Sequence, residues 1–113
     1  CDLEKVITRN GYGLLHVHDF GNTLRSKGVG FNSECKIFEV CNRSLASRIL
    51  QYDMRLNTAL PCRISIYTDN GVTKIGTIQP VKMLFALSQD IRMLDIANIV
   101  DSDITNIVDA VRA

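Results

Sequence analysis

Cys62-Arg63-Ile64-Ser65-Ile66-Tyr67-Thr68-Asp69-Asn70-Gly71-Val72-Thr73-Lys74-Ile75-Gly76-Thr77-Ile78 is the stretch on which the fold turns. Its first half alternates, with Cys62, Ile64 and Ile66 on one face and Arg63, Ser65 and Tyr67 on the other. A period of two is the spacing of a strand buried on one side. Asn70-Gly71 then tolerates the positive φ that a tight hairpin turn requires. Val72 to Ile78 returns as the partner strand. A hairpin with one apolar face needs a second layer to cover that face.

The flanking sequence supplies that layer as helices. Pro80 suits a first helical turn, and a helix through Leu87 is predicted. Ser88-Gln89 interrupts it. From Asp90 to Arg112 the stripe Met93, Ala97, Val100, Ile104, Ile107, Val108 and Val111 predicts one long amphipathic helix. Asn42 is placed to cap a third helix, worth about 1 kcal/mol, whose stripe is Leu45, Ala46, Ile49 and Leu50. Between that helix and Leu60-Pro61 no element is predicted.

Further upstream, Cys35 to Cys41 reads as a strand with Ile37 on one face and Phe38 and Val40 on the other. Apolar residues on both faces place it inside the sheet. Tyr12 to Asp19 reads as another strand, with Leu15 and Val17 on one face and Leu14, His16 and His18 on the other. Phe20 to Lys27 is a short helix, and the glycines of Gly28 to Ser33 mark a loop. Leu3, Val6 and Ile7 recur at helical spacing and stop at Asn10-Gly11. The expected architecture is α+β: an antiparallel sheet of about four strands packed on helices, with residues 1–113 as one domain.

Composition bounds the function. A chain of 113 residues buries roughly two-thirds of its unfolded surface, enough for a core without staples. Thirteen basic and 12 acidic side chains give a net charge of +1, with no basic run. The electrostatic footprint of a nucleic-acid binder is therefore missing. No apolar stretch approaches the roughly 18 residues of a membrane span. The cysteines are Cys1, Cys35, Cys41 and Cys62. No CxxC pair occurs, so a zinc ribbon and a thioredoxin-type motif are both excluded. This usage is not disulfide-dense, and a reducing, cytoplasmic compartment is expected.

Gly11-Tyr12-Gly13-Leu14-Leu15, Lys36-Ile37 to Cys41-Asn42, Leu45-Ala46, Leu60-Pro61-Cys62 and Gln79-Pro80 with Met83-Leu84 follow in one order. As an ordered set they resemble the family named only as domain of unknown function 302, over nearly the whole chain. The resemblance implies a fold like one repeat of the TATA-box-binding protein: a strand, a helix, four antiparallel strands and a last helix. The family pattern opens with an extra strand and most of the first helix, whereas this sequence starts inside that helix. Fold likeness does not imply DNA binding, because function lives in sites. The family carries no established activity and names no cofactor.

The candidate site is the pair Cys41 and Cys62. Cys41 ends one strand and Cys62 begins the next; as antiparallel neighbours, which the resemblance implies, their thiols share one end of the sheet. Cys41 also precedes a helix N-terminus, whose partial positive charge favours a thiolate. Asn42 and Arg43 complete the candidate binding set, with Arg43 and that terminus as a place for an anion. The competing reading is two small apolar residues buried at strand ends. Cys35 and Cys41 lie about 20 Å apart along one strand and cannot pair. Cys1 is given no role.

His16 and His18 share one strand face and could chelate zinc or copper. Two ligands are too few for a structural zinc site, so solvent-facing or partner-facing histidines are the alternative. Three functions stay open. One is a binding module for a small ligand near Cys41 and Cys62, with a homodimer as a candidate state. Another is a thiol-dependent redox protein or enzyme using Cys41 with Cys62 resolving. The last is a structural interaction domain.

Overall fold

The structure is a computed structural model and describes residues 2–112. Cys1 lies outside the described residues. In chain order the elements are α1 (Asp2–Arg9), β1 (Gly13–Asp19), α2 (Phe20–Ser26), β2 (Cys35–Cys41), α3 (Arg43–Tyr52), α4 (Met54–Ala59, a 3-10 helix), β3 (Cys62–Asp69), β4 (Val72–Thr77), α5 (Pro80–Leu87) and α6 (Ile91–Arg112). The strands form one antiparallel sheet in the order β1-β2-β3-β4. The α+β class and the four strands are as expected.

The hairpin is built as its sequence dictates. Asn70 and Gly71 have φ of 51° and 79°, and positive φ at both central residues is the twist-matched turn that joins β3 to β4. Val40 pairs with Cys62 and Phe38 with Ile64, so all four lie on one sheet face. They share a core with Leu3 and Ile7 of α1, Ile49 of α3, Leu56 of α4, and Ile96, Ile104 and Ile107 of α6. The stripe read for α6 is buried from Met93 through Val108. Leu3, Val6 and Ile7 are buried as predicted, and Gly11, at φ 79°, ends their helix.

Two expectations are corrected. Leu15 is an inserted residue: Leu14 faces Val40 and His16 faces Glu39, so the pairing slips by one between them. An extra residue reverses the parity of a strand. Leu14 therefore joins Val17 against the core, and Leu15 is 56% exposed. His16 and His18 do share the opposite face, without Leu14. The other correction concerns the stretch before Leu60, which holds α4. Asp53 caps it by accepting from the Arg55 backbone N–H at 3.0 Å. Leu56 and Ala59, three residues apart, are its buried anchors. That short spacing gives no stripe to read in the sequence.

Candidate functional site

Cys41 and Cys62 meet at one end of the sheet because β2 ends where β3 begins. Val40, next to Cys41, is the register partner of Cys62. Asn42 caps α3 as predicted, its Oδ1 accepting from the Leu45 backbone N–H at 3.1 Å. Cys35, Cys41 and Cys62 are free thiols. Arg43 is exposed at the start of α3 and lines no cavity with the cysteines.

The gap that Cys41 and Cys62 line together has a volume of about 10 Å³, bounded by Tyr12, Leu45, Ile49 and Val100. That is room for about one water and not for a ligand. The larger space lies beyond Cys62. A cleft of about 270 Å³ opens between the end of α4, the start of β3 and α5. Leu60, Pro61, Ile78, Pro80, Met83 and Leu84 give it apolar walls; Thr58, Cys62 and Arg63 supply the polar groups. Leu60, Pro61 and Cys62 belong to the walls of both spaces. The Leu60-Pro61 peptide is cis.

The position of α5 decides the cleft. Pro80 at its start has no N–H, and Gln79 makes no capping bond. The next N–H, of Val81, instead donates to Asp101 Oδ2 of α6 at 3.1 Å. A carboxylate from another helix thus supplies the cap and pins α5 against α6. Leu84 is buried on the inner side of α5, and Met83 lines the opening.

Burial decides the thiol chemistry. It pushes the Cys62 thiol up to about 11 from an ordinary 9.0, with Cys41 and Asp101 adding to the rise. Burial also raises Cys41, and the nearby Arg43 only partly offsets it. The expected activation of Cys41 by the helix terminus is thus reversed, because desolvation of the charged form outweighs the favourable field. Both thiols are held protonated at neutral pH. A third buried group joins them: the Tyr12 hydroxyl donates to Asp103 Oδ2 at 2.9 Å. Burial, then that carboxylate, raises the phenol well above its usual value.

On the outer sheet face, His16 and His18 are exposed. Among the described residues no group of three or more His, Cys, Asp or Glu is arranged to hold a metal. Sequence reasoning missed Asp101 and Asp103, which fall between the apolar positions of the α6 stripe. It also missed the cleft, whose walls come from segments up to 26 residues apart. The signal available was Leu60-Pro61-Cys62 together with Gln79-Pro80 and Met83-Leu84, which do border it.

Fold and site define a class: an α+β protein with a four-stranded antiparallel sheet, one face under helices, and a small apolar cleft at one end. The family model described as "Domain of unknown function DUF302" matches residues 2–111, and the chain belongs to that family. The crystal structure of an uncharacterized conserved DUF302 protein from Bacillus stearothermophilus is similar, with a TM-score of 0.87 and 32% sequence identity. The match covers 95% of this chain and 83% of that one. No curated protein matches. No helix among the described residues is long and apolar enough to cross a membrane.

Proposed function

We propose that the chain is a small-ligand-binding module whose site is the cleft beside Cys62, and that its ligand is a short, mainly apolar molecule with an anionic end. The observation that carries this is the cleft itself: about 270 Å³, apolar-walled, with one cation at its border. Ligand sites are typically concave, mostly apolar, and given orientation by a few polar groups. The volume lies just below the usual range of about 300–1,000 Å³ and suits a small molecule. Ile78 and Met83 line it while remaining 67% and 36% exposed, so a ligand would gain by covering them. Arg63 has a side chain 65% exposed, and its contact with Glu39 is long, at 3.5 Å. Its guanidinium is thus available to a carboxylate or phosphate.

The site keeps Cys62 from the original pair as a wall, and leaves Cys41 behind it. A thiol enzyme is the weaker reading, because burial raises both thiols where catalysis needs one lowered.

Isothermal titration with octanoate as the probe tests the reading. Saturable binding is expected, weakened about tenfold or more in Arg63→Ala, as one charge-assisted bond is worth about 1.5–3 kcal/mol. Filling the opening with Met83→Trp should abolish it. Equal binding by wild type and Met83→Trp would sink the proposal.

A further inference from the structure

We infer that the outer face of the sheet carries a divalent transition-metal site. His16 and His18 are its ligands and Glu39 is the residue that orients them. The ion class is one that favours square or octahedral geometry, Cu2+ or Ni2+.

Three observations converge. The first is the spacing of the rings. His16 and His18 stand two residues apart on β1, past the inserted Leu15, and their ring centres are 4.4 Å apart with planes at 74°. A metal about 2.0–2.1 Å from a ring nitrogen lies about 3.2 Å from that ring's centre. Two imidazoles on adjacent corners of a square or octahedron then have centres about 4.5 Å apart, against about 5.2 Å for tetrahedral corners. The observed 4.4 Å is nearer the square or octahedral separation than the tetrahedral one.

The second is the tautomer. His18 Nε2 lies 3.0 Å from Glu39 Oε1. A carboxylate can only accept, so Nε2 carries the proton and donates it. In the neutral ring Nδ1 is left with the free lone pair that a metal needs. A ligating histidine commonly gives its other N–H to a carboxylate, which fixes the ring and raises its basicity. Glu39 Oε2 also lies 3.5 Å from the Arg63 guanidinium, a long contact that leaves Arg63 free. His18, Glu39 and Arg63 sit on β1, β2 and β3, so the arrangement spans three adjacent strands.

The third is access. Both rings are exposed, and α1, α3, α4, α5 and α6 pack on the other face of the sheet. The chain supplies two nitrogens, and water completes the coordination.

The test is titration of Ni2+ into the 15N-labelled chain, followed by histidine ring and backbone NMR. Expected is saturable paramagnetic broadening centred on His16 and His18. His16→Ala and His18→Ala should each remove it. Glu39→Gln should retain the site with affinity about 10–100-fold weaker, as for loss of a supporting carboxylate. Three results would overturn the inference: no saturable broadening, broadening that survives in the doubly substituted H16A/H18A chain, or an unchanged affinity in Glu39→Gln. All three side chains lie on the face away from the core, so the substitutions leave the fold intact. An unchanged melting curve checks that.

Discussion

Tyr12 and Asp103 are 91 positions apart in sequence and joined by a 2.9 Å hydrogen bond. Tyr12 follows the end of α1, and Asp103 lies midway along α6. The bond therefore ties the first helix–strand connection to the last helix beneath the candidate site. Tyr12 is only 4% exposed, and its removal leaves a carboxylate short of a donor. Tyr12→Phe should cost about 1–3 kcal/mol, read as a lower urea midpoint with unchanged slope. An unchanged midpoint would show that the bond contributes nothing.

The Asn42 cap is local and smaller. Asn42→Ala should cost about 1 kcal/mol, because the Leu45 N–H loses its acceptor. Asn42→Asp should keep most of that stability. Equal losses in both variants would locate the effect elsewhere than the cap.

The inserted residue in β1 separates two adjacent leucines. Leu15→Thr should shift stability by no more than about 0.5 kcal/mol, as at an exposed site. Leu14→Thr should cost more than Leu15→Thr, since Leu14 packs on the core. A reversed order in thermal melts would mean that β1 pairs without the slip.

Alkaline pH should unfold the chain early. The folded Cys62 thiol is raised to about 11 from 9.0, so the folded state holds its proton more tightly. The stability linked to it is complete below about pH 9 and is lost as pH rises toward 11. The raised Tyr12 phenol acts in the same direction. Cys62→Ser should flatten the fall in unfolding midpoint over that range; an equally steep fall would assign it to other groups.

Acid acts through a pair of matching turns. Asp53 and Asp90 each accept from the backbone N–H and the guanidinium of the arginine two residues on, Arg55 and Arg92. Those bonds lower both carboxyls. Folded values below the unfolded ones mean stability that is present above about pH 4 and lost as pH falls further. Asp90→Asn should reduce the acid dependence of the melting temperature and leave its value above pH 6 slightly lower. A steeper acid dependence would contradict the pairing.

Much of the fold could be read in particular residues. The alternation of Cys62, Ile64 and Ile66, the Asn70-Gly71 turn, Pro80 and the α6 stripe each carry a local cause, and each element sits where that cause puts it. The slip at Leu15 was hidden because an inserted residue is defined by its partner strand, not by its own sequence. The site was half legible. Proximity of the cysteines followed from the strand adjacency that the family resemblance implies, but the sizes of the spaces beside them depend on how α5 docks. That docking combines buried Pro80 and Leu84 with the Asp101–Val81 bond, which joins residues 20 apart and leaves no periodic trace. The shift at Cys41 was misread for a related reason: the helix terminus is visible in sequence, while the burial that outweighs it is not.

The most direct test of the ligand-binding account is methyl NMR of Ile78, Met83 and Leu84 during titration with octanoate. The account predicts saturable shifts at these three cleft residues, with exposed Leu15 unmoved and Arg63→Ala requiring more ligand to saturate. Shifts that stay linear in octanoate, or that fall equally on Leu15, would contradict it.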